Sequence, residues 1–168
     1  MKLSLITLLI LSSISLSKSQ SQIIAATGSM EPNIQIGDNL VTDESYYSTN
    51  PVQRFDIVIF EHPMAGFKAV ARVVALGGET ITIKKKKIFI NDKEIKEPFK
   101  TRPCPDEEVD RFFPCANFGP YKVPENGFFL LADNRGESED SRLWEQHAIS
   151  RRQILGKVIK IVPKRKAT

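Results

Sequence analysis

Ser29 stands in the stretch Thr27-Gly28-Ser29-Met30-Glu31-Pro32, shortly after an apolar N-terminal run. A serine behind a glycine can approach a substrate carbonyl closely, because glycine has no side chain to obstruct it. Pro32 stiffens the chain just beyond. Thr27, two residues earlier, can turn its hydroxyl to the same side of an extended or turning backbone. That hydroxyl and the Ser29 backbone N–H are suitable donors for an oxyanion hole. The chemistry indicated is attack of an activated serine on an acyl group, which requires a proton acceptor for the Ser29 hydroxyl. Gly-Ser-Met alone is also the composition of an ordinary surface turn.

Four further stretches follow in order: Gly37-Asp38-Asn39-Leu40-Val41, "RFDIVIF" at Arg54 to Phe60, "ARVVALGGETI" at Ala71 to Ile81, and "ADNRGESEDSRLW" at Ala132 to Trp144. Together with Ser-Met-x-Pro, and placed after an apolar segment, they resemble the bacterial type I signal peptidases, a family of Ser-Lys dyad serine endopeptidases. The resemblance runs from the N-terminal segment to about Gly156. It implies a mainly β, coiled antiparallel sheet with an N-terminal membrane helix. The activity it implies is removal of signal peptides from exported proteins after small residues at −1 and −3. In that resemblance Ser29 matches the nucleophile and Thr27 the side-chain donor of the oxyanion hole, while Met30 and Pro32 match residues that shape the turn. Ser138 matches a serine that orients the base. Asp140 and Arg142 match a supporting ion pair, and Asp133, Asn134 and Arg135 match the start of the same block. Read without the resemblance, Asp140 and Arg142 are a surface pair of little energetic consequence.

The proton acceptor is the point of departure. The family's segment carries a lysine immediately before the arginine that Arg72 matches, and here that position is Ala71. A methyl group accepts no proton. Lys68 is the nearest lysine and the tentative base. Side chains alternate along a strand, so Lys68 shares a face with Arg72, not with Ala71. A β-bulge between Lys68 and Ala71 would reverse that parity. His62, in "FEHP", reads as a turn histidine beyond a strand end, and His147 lies beside a departure from the family at Glu145. Phe55 and Ala132 depart too, each standing where the family has glycine. Three accounts of Ala71 stand: a working enzyme with a displaced base, an inactive relative that only binds signal-peptide-like segments, or alanine introduced by design in place of a native lysine.

These residues need strands to carry them, and the chain supplies strand patterns. After the N-terminal run come "NLVTDESYY", "RFDIVIFEHP", "FKAVARVVALGGETITI", "KKIFINDKEI", "GFFLLADN" and "ILGKVIKIVP", rich in β-branched and aromatic residues and punctuated by Gly, Pro, Asn and Asp. "ITIKKKKIFIND" predicts a hairpin with lysines at its tip, a solvated turn that resists edge pairing. Only residues 144–153 suggest a short helix. The 168 residues divide into an N-terminal anchor or signal segment, 1–18, and one β domain, 19–168, with an irregular insertion around 96–124.

Leu3 to Ser17 is apolar between Lys2 and Lys18, the pattern of an export signal. It is a cleaved signal or, as preferred here for want of an A-x-A-like site directly after it, a retained short anchor extended by Ile23 to Ala26. The domain is then expected on the extracytoplasmic side of the cell membrane, in contact with lipid and with the signal peptides of preproteins. A net charge of +4 suits an anionic membrane surface; no nucleic-acid partner and no cofactor are expected. Cys104 and Cys115, the two cysteines, flank a polar loop and are expected to form a disulfide in an oxidising compartment. No C-x-x-C is present and His62 and His147 are the two histidines, so a metal site is not expected.

Overall fold

The computed structural model describes residues 20–64, 66–104 and 115–165. The expected membrane segment, 1–18, lies outside them, and no described helix is long and apolar enough to cross a membrane. The chain is mainly β. Its strands are β1 (Gln20–Ile24), β2 (Asn39–Asp43), β3 (Ile57–Glu61), β4 (Lys68–Leu76), β5 (Thr80–Lys84), β6 (Lys87–Ile90), β7 (Lys93–Glu94), β8 (Phe118–Lys122), β9 (Gly127–Leu131), β10 (Ile149–Ser150) and β11 (Ile154–Val162). A single helical turn, α1 (Tyr46–Thr49), follows β2. Among the described residues, a seven-stranded antiparallel sheet has the order β1-β2-β11-β3-β4-β9-β10, and a four-stranded sheet the order β7-β6-β5-β8.

β4 links the two sheets, and its alternation divides the core. Ala71 and Val73 point to a cluster with Val58, Phe60, Leu130 and Trp144. Val70 points the other way, to Met30, Ile34, Leu40 and Ile59. Val74 and Ala75 join a third cluster with Ile81, Ile83 and Phe129 beneath the smaller sheet. Pairing of β3 with β4 is unbroken from Ile57↔Arg72 through Val58↔Ala71 and Phe60↔Ala69 to Glu61↔Lys68. The irregularity in β4 comes later, between Val73 and Ala75, on its β9 side.

The lysine-tipped hairpin forms as expected. Lys85 and Lys86 take φ of 48° and 66°, the left-handed pair that a two-residue hairpin turn demands. Elsewhere the strand patterns overreach. "NLVTDESYY" leaves the strand after Asp43, whose carboxylate takes the Ser45 N–H and hydroxyl and turns the chain into α1. Residues Ile23 to Ala26, read as an extension of the anchor, instead form the end of β1 and the link after it, where Ala25 donates its N–H to the Asp38 carbonyl and accepts the Gly37 N–H. The helix expected over 144–153 shrinks to a 3-10 turn at Arg151–Gln153. Its beginning is drawn off by turns in which the Asp140 carbonyl accepts the Leu143 and Trp144 N–H groups, and by pairing of Ile149 with Phe128.

Candidate active site

Ser29 sits on a turn pinned from below. Met30 and Ile34 are buried to 2% and 1% exposure, and the Met30 carbonyl accepts the Asn33 and Ile34 N–H groups. The turn is also held laterally. Asn134 donates its backbone N–H to the Ser29 carbonyl at 2.9 Å and its side-chain amide to the Gly28 carbonyl at 3.2 Å. Thr27 Oγ1 lies 3.1 Å from Ser29 Oγ. The Thr27 hydroxyl is therefore on the same side as the Ser29 hydroxyl.

The 133–142 block is buried scaffolding. Arg72 donates from Nε and Nη2 to both oxygens of Asp133 at 2.8 and 2.6 Å, and its guanidinium lies 3.7 Å above the Phe99 ring centre. Asp133 also accepts the Asn33 amide, tying the serine turn to β4. Asp140 and Arg142 are not the surface pair that their spacing alone suggests. They are 1% and 5% exposed, paired in bidentate fashion at 2.8 Å. Asp140 further accepts the Ala132 and Arg142 backbone N–H groups, and Arg142 donates to the Arg135 carbonyl. Each charge is paired and hydrogen-bonded, as burial requires.

Two cavities meet at Ser29. The first, about 210 Å³, is walled by Ile23, Ala25, Met30, Ile34, Leu40 and Val70, and is mostly apolar. Lys68 borders it from the start of β4, where it is exposed. The second, about 330 Å³, contains Ser29, Ala71, Asn134 and Ser138 in its wall. Ala71 thus opens onto the space beside Ser29, buried to 3% exposure. Lys68 lies on the opposite face of the same strand. The bulge that would bring it round is absent from the β3–β4 pairing. Behind the wall of the second cavity, Ser138 Oγ and Asn134 Oδ1 are themselves closed to solvent and have no hydrogen-bond partner among the described residues.

His62 belongs to this cavity, which the sequence did not suggest. It is 7% exposed, stacked on Phe67 at 4.8 Å and edge-on to Trp144 at 5.4 Å, and its Nδ1 faces the Met64 N–H at 3.4 Å. Continuing the alternation of Val58 and Phe60 past the end of β3 puts His62 on the Ala71 face. That is the signal that was available. His147 is structural: Nδ1 lies 2.8 Å from the Ser141 carbonyl and the ring packs edge-on against Phe118 and Tyr121. A clamp was also missed. Arg102 pairs with Glu31 at 2.6 Å and reaches Glu137 at 3.8 Å, joining the serine turn to the block that carries Ser138. Beyond Arg102 the disulfide expected from the sequence is present, Cys104 to Cys115.

Comparison with known proteins identifies relatives of the chain. Signal peptidase I of Leptolyngbya laminosa is 31% identical over 140 residues, covering 78% of this chain and 63% of that protein. Signal peptidase I of Bacillus licheniformis is 32% identical over 114 residues, covering 68% and 61%. Signal peptidase I of Bacillus caldolyticus is 34% identical over 136 residues, covering 77% and 72%. The chain thus spans about three fifths of the length of the first two relatives. A crystal structure of a signal peptidase I from Enterococcus faecalis V583 superposes with a TM-score of 0.51 at 25% identity, covering 64% of this chain and 97% of that one. The family model for "Signal peptidase, peptidase S26" matches residues 1–162, and the chain belongs to that family.

Proposed function

We propose that this protein is a membrane-bound serine endopeptidase that removes signal peptides from exported preproteins after small residues at −1 and −3. Ser29 is the nucleophile in this reading. The single observation that carries it is Ser29 beside the Thr27 hydroxyl at 3.1 Å, at the mouth of a narrow apolar cavity. An extended segment laid between β1 and β4 would direct alternate side chains into that cavity. Its modest volume favours small residues. The scissile carbonyl oxygen would then accept from the Thr27 hydroxyl and the Ser29 N–H as negative charge develops on it. Asp133, Arg72, Asp140 and Arg142 hold the turn and the Ser138 block at a fixed spacing. Membrane attachment through residues 1–18, with the β domain on the extracytoplasmic side, belongs to the same proposal.

A second reading is favoured by one specific feature. Ala71 leaves Ser29 without the family's amine, and the unbroken strand register keeps Lys68 on the other face. A protein with that site intact except for the base binds signal-peptide-like segments and turns them over slowly, since loss of a dyad member costs orders of magnitude in rate.

Four proteins assayed on one signal-peptide substrate decide between them: the parent, Ala71→Lys, Lys68→Ala, and Ala71→Lys with Ser29→Ala. We expect cleavage by Ala71→Lys to exceed that of the parent by at least a hundredfold and Ser29→Ala to abolish the gain. A fast parent silenced by Lys68→Ala would establish Lys68 as the base. An inert Ala71→Lys variant that still binds substrate would leave only the binding function.

A further inference from the structure

We infer that the second cavity receives the −2 side chain of the bound segment, and that His62 Nε2–H selects a neutral carboxamide there, glutamine or asparagine. The inference rests on the groove reading given above and on nothing about the proton acceptor. Backbone pairing dictates which way a bound segment must point. β4 pairs with β3 from Lys68 to Arg72, but with β9 from Arg72 onward. Its β9-side edge is therefore unpaired from Lys68 to Ala71. β1 is the outermost strand of its sheet, so its far edge is open too. A segment lying between these edges continues the sheet, and directly opposed residues in neighbouring strands share a face. Val70 faces Met30 and Leu40, the side on which the −1 and −3 side chains enter the apolar cavity. Ala69 and Ala71 face the other way, toward Phe60 and Trp144. The −2 side chain points to that second face, over the cavity that Ala69, Phe60 and His62 border.

His62 supplies the chemistry of this subsite. Its ring is held on two sides, stacked on Phe67 at 4.8 Å and edge-on to Trp144 at 5.4 Å. Nδ1 accepts the Met64 N–H at 3.4 Å. An Nδ1 that accepts leaves the ring proton on Nε2. Nε2 has no partner among the described residues and, unlike Ser138 Oγ, is not closed to solvent. A donor so placed is satisfied by a ligand that accepts.

The rest of the wall narrows the choice. Glu137 and Glu139 stand exposed at the rim. They repel a carboxylate at −2, whereas an ammonium there sets donors against the Nε2–H. An apolar side chain strips water from the Nε2–H and returns no hydrogen bond. A carboxamide meets both walls: its oxygen accepts from His62 and its NH2 donates toward the glutamates. The short Ala69 side chain leaves room for it to cross β4.

The test uses the full chain carrying Ser29→Ala, so that peptides bind without turnover. Four synthetic signal peptides are compared, identical except for Gln, Leu, Glu or Lys at −2. We expect the Gln peptide to bind about fivefold tighter than the Leu peptide, with the Glu and Lys peptides both weaker than Gln. His62→Phe keeps an aromatic ring against Phe67 and Trp144 but has no N–H. It should equalise the Gln and Leu peptides without weakening the Leu peptide, and its melting curve establishes that it is folded. A second readout needs no change at 62: an intermolecular NOE is expected between the −2 glutamine side-chain amide and the His62 ring. That readout decides alone if His62→Phe does not fold. Equal binding of the four peptides, a Gln preference that survives His62→Phe, or a missing NOE overturns the inference and leaves the groove reading intact. A Lys peptide that binds as tightly as the Gln peptide overturns it too, by putting the glutamates in control. No binding by any of the four refutes the groove reading and the inference with it.

Discussion

Ser138 has no hydrogen-bond partner in the chain as it stands, and this makes its contribution depend on what occupies position 71. Replacing a buried hydroxyl that makes no bond removes a desolvation cost of ~1–3 kcal/mol against a small loss of packing. Ser138→Ala in the parent is therefore expected to leave the melting temperature unchanged or slightly raised. In the Ala71→Lys background the same change is expected to lower kcat at least tenfold, because the new ammonium loses its oriented partner. A double-mutant cycle with nearly additive effects would refute this coupling. Asp133 behaves oppositely. Its removal leaves Arg72 buried with an uncompensated charge, so Asp133→Ala is expected to destabilise by about 3–5 kcal/mol, measured by denaturant unfolding.

At the scale of elements, what the sequence disclosed follows from how local each determinant is. Alternation along β4 put Ala71 and Lys68 on opposite faces, and the observed register agrees. The left-handed turn at Lys85 and Lys86 follows from a two-residue loop between paired strands. Phe55, noted as a residue in a glycine's place, has φ of 74°, so the departure marks a real backbone demand. Asp140 with Arg142 was legible as a pair but not as a buried one, because burial comes from β9 and the turns around Trp144 folding over it. His62 was legible from the alternation of β3 carried past Glu61, whereas the Arg102 clamp escaped because it joins segments remote in sequence. Gly77 was read only as part of the "ALGGE" motif. A Cβ there would meet the Glu125 carbonyl oxygen at 1.9 Å, so Gly77→Ala is expected to destabilise by roughly 2 kcal/mol or more, and a melting curve checks it.

The packing of α1 against β11 carries a pH dependence. Asp56 accepts from the Tyr47 hydroxyl at 3.0 Å and pairs with Lys157 at 2.7 Å. Burial, with help from Asp56, pushes the Tyr47 phenol well above its usual range. For Lys157, burial pulls down, but the hydrogen bond and charge of Asp56 outweigh it and the net shift is upward. Both groups hold their proton more tightly folded than unfolded. Their stabilisation is complete below the unfolded values of about 10 and is lost as pH rises through the folded ones. Stability is expected to fall above about pH 10, and Tyr47→Phe with Lys157→Met should flatten that fall in alkaline denaturation curves.

Across the whole molecule, the disulfide and the clamp act in series. The Cys104–Cys115 link closes a loop of sequence separation 11 next to Arg102, whose side chain ties the serine turn to the Ser138 block. In the chain-entropy account such a loop contributes about 3 kcal/mol. Reduction should lower the denaturation midpoint accordingly, and thiol labelling before and after reduction should show none and two reactive cysteines. Membrane attachment is tested by fractionation: protein retained with membranes and beginning at its N-terminal run is expected, whereas soluble protein starting near Ser19 would contradict the anchor.

β4 separates the apolar cavity from the one that opens over Ala71, and Ser29 is common to both. For inhibitor chemistry this divides what a compound can sense. A peptide mimic that occupies only the apolar cavity should bind this protein and an Ala71→Lys variant alike, while an acylating warhead should discriminate sharply between them. Affinity and covalent capture thus become independent readouts, and a labelled groove ligand could count folded copies of this protein irrespective of whether any of them is turning over substrate.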